Sequence, residues 1–140
     1  MYRRKAREKA LQILFQFDIQ QGDINEIIED RFENDQIDEN QREFITNLIA
    51  GAHENLVEID QALEDVIEGW NLQRIGKVEK NILRLAVYEL LFTDLSENIV
   101  INEAVELAKT FSTNQSAGFI NGILAKYIKI SAKPGGGAEH

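Results

Sequence analysis

Five cations crowd the first nine residues, Arg3, Arg4, Lys5, Arg7 and Lys9, against Glu8 alone. On a helix, Arg4 and Phe15 are eleven residues apart and come within about 20° in azimuth. Arg7 and Leu11 lie between them on nearly the same side. The result is an aromatic ring at the far end of a basic strip roughly 16 Å long. Cations that track a phosphate backbone, beside a ring for base stacking, are what single-stranded RNA requires of a binding surface. Packing of Phe15 against the next helix is the competing reading, and the spacing leaves both open. A second group, Lys77, Lys80 and Arg84, shares a helical face at i, i+3 and i+7. Glu79 beside it equally makes that face a mixed, solvated surface.

Other chemistry finds few residues to work with. The absence of cysteine excludes a disulfide framework, a thiol nucleophile and any Cys-ligated metal, and it fits a reducing compartment. His53 and His140 are the only histidines, so a histidine base rests on His53, which reads as a surface or half-buried polar group. There is no GxGxxG, Walker loop, GxSxG or HExxH. A Glu-rich helical chain invites a di-iron bundle, but that site needs Glu-x-x-His on two helices, and the residue three before His53 is Ala50. The neighbouring carboxylates Glu64/Asp65 and Asp38/Glu39 point in different directions. The expectation is a protein without catalytic residues, metal or cofactor.

The elements that must position the basic strip follow from composition and periodicity. At 140 residues, with 44% apolar and 28% charged side chains, the chain has the size and make-up of one globular domain. Its net charge of −9 conceals a polarised molecule: residues 1–9 sum to +4, leaving −13 for the other 131. Between Asp18 and Glu68, sixteen acids face only Arg31 and Arg42, and the balance reverses through Arg74, Lys77, Lys80 and Arg84. Local fields of this kind decide what binds where. No apolar run approaches the roughly 18 residues of a membrane span, and no hydrophobic signal core follows the charged N-terminus. A soluble, cytoplasmic protein is expected.

Helical periodicity runs through nearly the whole sequence, and the only proline is Pro134. A first helix is predicted from Arg3 to Gln20 with Ala6, Ala10, Ile13, Leu14 and Phe17 facing the core. A short helix with Ile24, Ile27, Ile28 and Phe32 follows Gln21-Gly22-Asp23. From Phe44 to Ile67 the pattern is long and contains Gly51, so it is either one bent helix or two. An apolar helix from Gly76 to Phe92 reads as the buried centre of the second half. Two more helices follow, around Val100–Phe111 and Phe119–Ile128, joined through the polar turn Thr113–Ser116. The architecture expected is all-α, six or seven helices in two small bundles divided near Trp70. Residues 1–130 form one domain in this reading, and residues 131–140, with Pro134-Gly135-Gly136-Gly137, form a disordered tail.

Five collinear blocks resemble a known family. They are Arg3-Arg4-Lys5-Ala6-Arg7-Glu8 with Ala10-Leu11-Gln12; Trp70; Val78-Glu79-Lys80 running into Ile82-Leu83-Arg84-Leu85-Ala86-Val87-Tyr88-Glu89-Leu90; Ile101–Lys109; and Phe119-Ile120-Asn121-Gly122-Ile123-Leu124. In this order they resemble the NusB family of bacterial transcription antitermination factors, over Arg3 to about Ile128. The resemblance implies a compact helical protein without catalytic activity. It implies binding to boxA-type single-stranded RNA together with NusE, a ribosomal protein of the small subunit. It also implies an indirect link to the RNA polymerase elongation complex and read-through of terminators, notably in ribosomal RNA operons. Arg3, Arg4, Lys5 and Arg7 resemble the family's RNA-contacting segment, with Phe15 and Phe119 at aromatic positions near the RNA. Glu79 resembles an acidic position at the protein partner. Gln115 stands where some relatives carry an acid near the RNA, so an amide there is expected to raise affinity and Gln115→Asp to lower it. Gly118 and Ala125 stand where relatives often have Lys and Asp, and contacts there do not transfer.

Two other classes stay in view. Similar domains begin the ribosomal RNA cytosine methyltransferases, which would place a catalytic domain after the last helix. The resemblance also implies self-pairing in some family members, so a self-associating RNA-binding module, a homodimer, is the structural alternative. Arg4→Glu combined with Arg7→Glu is expected to weaken RNA binding without unfolding the protein.

Overall fold

Two helical units divide the chain between Glu54 and Asn55. The division expected near Trp70 therefore falls earlier, and Trp70 itself lies outside the described residues. The computed structural model describes residues 3–67 and 72–131. The expected tail lies outside them from residue 132 onward. Among the described residues there are seven α-helices, one 3₁₀ turn and no strand, within the expected all-α class.

The first unit contains α1 (Arg4–Gln20), α2 (Ile24–Asn34) and α3 (Glu39–Glu54), with α1 packed against both others. Ala6, Ala10, Ile13 and Leu14 form the buried stripe of α1 as expected. Phe17 departs from it: the ring is half-buried and meets His53 edge-on at 5.1 Å. The helix ends at Gln21 and Gly22, both with positive φ, and Gly22 at 94° occupies a region that side chains with a Cβ avoid. Asp23 then starts α2, its carboxylate accepting the Asn25 N–H at 2.9 Å. Ile27, Ile28 and Phe32 of α2 and Ile45, Leu48, Ile49 and Ala52 of α3 complete the core.

The long pattern from Phe44 to Ile67 resolves into two helices, and the break is at Asn55 rather than at Gly51, which lies inside α3. Asn55 leaves helical geometry at φ −108° and ψ 23°, and α4 (Leu56–Val66) begins there. The second unit continues with a 3₁₀ turn (Leu72–Arg74), α5 (Lys77–Phe92), α6 (Glu97–Phe111) and α7 (Asn114–Ser131). α5 packs against α4, α6 and α7. It buries Ile82, Leu83, Leu85, Ala86 and Val87, the central helix that its apolar circumference predicts. Ser96 caps α6 by accepting the Ile99 N–H. Thr113 does the same for α7, taking the Ser116 N–H at 3.0 Å, so the polar turn contains a true N-cap.

Candidate nucleic-acid interface

The predicted site residues fall into two clusters, one in each unit. In the first unit the basic start of α1 is partly consumed by its own fold. Arg3 sits at the N-cap with φ 59° and makes no capping bond with its side chain. Its guanidinium donates to the Asn40 carbonyl at 3.3 Å and lies 4.7 Å from the centre of the Phe44 ring. Arg7 approaches the same ring at 5.4 Å and is only 3% exposed. Two guanidinium groups thus share one aromatic ring, each contact being worth about 1 kcal/mol in a partly desolvated setting. Leu11 is buried too. The middle of the predicted outward strip therefore faces inward, which makes Arg7→Glu a poor probe of a surface.

What remains outward is Lys5, exposed and without a partner among the described residues, with Arg3 exposed beside it. Arg4 and Phe15 are half-buried. Lys9 donates to Asp35 at 2.6 Å and to Gln12 at 3.0 Å, and Arg31 reaches Asp35 at 3.2 Å. The Lys9 hydrogen bond is the main reason that the Asp35 carboxyl is held below its ordinary range. Phe44 is the residue that sequence alone did not nominate. Its core-facing spacing was plain, but nothing local links it to Arg3 and Arg7 nearly forty positions away.

In the second unit, three nominated residues come together. Glu79, Gln115 and Phe119 line a groove of about 390 Å³ with Arg74, Ile75 and Gly76. Arg74 is exposed and makes no hydrogen bond or ion pair among the described residues. The cationic run after Trp70 was its only trace in the sequence. Glu79 is held firmly: its Oε2 accepts the hydroxyl of Ser112 and, at 2.7 Å, that of Ser116. Partial burial disfavours its charge, but the two hydroxyls and a backbone hydrogen bond outweigh that and bring the carboxyl below its usual range. The groove therefore offers an unpaired guanidinium, an amide, an aromatic ring and a fixed negative charge.

The second basic face is mixed in charge, but through Asp60 and Glu64 rather than through Glu79, and it is not fully solvated. Arg84 donates twice to Asp60, at 2.8 and 2.9 Å, and Lys80 is buried. With Lys77, Glu64 and Gln73 they line a separate cleft of about 360 Å³ in the same unit. Among the described residues, no group of three or more His, Cys, Asp or Glu side chains is placed to hold a metal ion. No described helix is long and apolar enough to cross a membrane.

By fold the chain is an all-α protein, and each of its two clusters brings cationic side chains close to an aromatic ring. It belongs to the NusB family, whose model matches residues 4–129. The transcription antitermination protein NusB of Acetivibrio thermocellus is 42% identical over 141 residues, covering 100% of this chain and 97% of that protein. The protein of the same name from a Nitratiruptor species is 45% identical over 130 residues, covering 91% and 94%. The NusB chain in a crystal structure of the antitermination factors NusB and NusE with double-stranded RNA superposes with a TM-score of 0.84 at 29% identity, over 92% of this chain and 97% of that one.

Proposed function

We propose that this chain binds single-stranded RNA of the boxA type, together with the ribosomal protein NusE, in the cytoplasm. In this role it acts without catalysis to help RNA polymerase read through terminators, notably in ribosomal RNA operons. The observation that carries the reading is the groove of the second unit, where Arg74, without a partner among the described residues, lines the same cavity as Gln115 and Phe119. That combination offers a phosphate partner, an amide for a base edge and a ring for stacking. The first unit adds Arg3, Arg4 and Lys5, and the buried Arg7 supplies positive potential beneath them. Phe15, half-buried on α1, is the stacking ring of this cluster.

Glu79 is the contact for NusE, an ionised carboxylate suited to a basic partner. Residues 1–130 act as the functional domain. With about four phosphates neutralised, log affinity should fall against log salt with a slope of roughly −3. RNA and NusE should each tighten the other's binding by the same factor. Fluorescence anisotropy of a labelled boxA-like RNA, with and without NusE at two salt concentrations, tests this. Salt-sensitive binding that strengthens with NusE is expected; a folded protein that binds RNA in neither condition would overturn the reading.

A further inference from the structure

Glu79 is tied into the groove more tightly than a contact for a protein partner requires. It stands in the first turn of α5, three residues after Gly76, the N-cap. Its two hydroxyl donors come from different elements: Ser112 closes α6, and Ser116 lies in the first turn of α7. The serine oxygens are themselves 3.0 Å apart. A hydroxyl has one proton, so when both serines donate to Glu79 neither can donate to the other, and the carboxylate is the hub. Three helices are thereby joined at one oxygen atom. Gln115 immediately precedes Ser116, and Phe119 follows it by three residues on the same face of α7.

We propose that Glu79, Ser112 and Ser116 form a latch that positions Gln115 and Phe119 opposite Arg74, making Glu79 a positioning residue of the RNA groove. The inference rests on the RNA-binding reading above and deepens it. Two further observations support it. A Cβ at Gly76 would collide with the Glu79 carboxylate, so the glycine leaves room for the latched position. The carboxyl is also held below its ordinary range, so the latch is charged at neutral pH. The groove and all three latch residues lie in the second unit.

The test is a set of mutant cycles on the full chain with labelled boxA-like single-stranded RNA. Breaking the latch, by Glu79→Ala or by Ser112→Ala with Ser116→Ala, should weaken binding about tenfold, the scale of one hydrogen bond to a charged group. Combining the two changes should cost no more than either alone. The decisive readout is Phe119→Ala. It should cost about tenfold in the wild type but about twofold or less once the serines are gone, because the ring is no longer in place. Lys5→Glu, in the other unit, should cost the same in both backgrounds.

An undiminished Phe119→Ala effect in the serine variant, or wild-type RNA affinity in that variant, would overturn the latch while leaving RNA binding intact. Loss of NusE binding alone in Glu79→Ala would likewise leave Glu79 as a partner contact only. Absence of RNA binding by the wild type would instead remove the underlying reading. Should the serine pair fail to fold, Glu79→Asp keeps the charge but shortens its reach, and it should show the same loss of the Phe119 effect; retention there overturns the proposal.

Discussion

In the first unit the cations of the N-terminal helix are largely committed to the fold: Arg3 and Arg7 lie against Phe44, and Lys9 is paired with Asp35. In the second unit a carboxylate is the committed group, held by two serines, and the nearby cation Arg74 has no partner among the described residues. The same residue types thus serve opposite purposes. A guanidinium beside an aromatic ring can hold a helix start in place, and one left unpaired at a groove rim is available to a phosphate. Local charge density is therefore a poor guide to binding. What separates the cases is whether the fold supplies a partner.

The largest expected effect tests that distinction directly. Arg7→Glu places an acid where a guanidinium is 3% exposed, and it should destabilise the protein by about 3 kcal/mol in urea unfolding. Lys5→Glu, two positions earlier and exposed, should change stability by no more than about 0.5 kcal/mol while weakening RNA binding. If Arg7→Glu were as stable as wild type and lost RNA affinity, the two units would not differ in the way described. Next in size is Phe44→Leu, which keeps an apolar side chain but removes the ring under both guanidinium groups. It should cost about 2 kcal/mol, the two contacts together. Arg74→Ala should leave stability within about 0.5 kcal/mol and weaken RNA binding about fivefold, with a shallower salt dependence by roughly one phosphate.

How much of this was legible in the sequence depends on range. The helices were readable because the 3.6-residue period is a local signal, as is the polar turn that starts α7 at Thr113, whereas the caps Asp23 and Ser96 emerged only from the fold. Gly51 misled because a glycine costs a helix only about 1 kcal/mol, which tertiary packing overrides, and the break went to Asn55 instead. Azimuth alone placed Arg4, Arg7, Leu11 and Phe15 on one side of α1, but not which way that side faced. The burial of Arg7 depends on Phe44, and the fate of Arg84 on Asp60, 24 residues away. Long-range pairing of this kind leaves no periodic trace. Family resemblance nominated Gln115 and Phe119 for the RNA and Glu79 for the protein partner; their meeting in one groove with Arg74, and the serine hydrogen bonds to Glu79, needed the folded chain.

The smallest expected effect sharpens the comparison through pH. Glu79 has a folded pKa below its ordinary value of 4.5, so the unfolded chain binds its proton more readily than the folded one. Its contribution to stability is therefore fully present above the ordinary value and is lost as the pH falls through the lowered one. Asp35 follows the same sign from an ordinary value of 3.8, through Lys9 rather than through serines. The stability difference between wild type and the Ser112→Ala, Ser116→Ala variant should hence be constant from about pH 7 to about pH 5 and shrink in stronger acid. Lys9→Ala should show the parallel loss in the first unit at lower pH. Because the serines are neutral, added salt should diminish the Lys9 difference and leave the serine difference nearly unchanged. A serine difference that faded with salt would mean that Glu79 is held by cations after all, and that the two units stabilise their carboxylates in the same way.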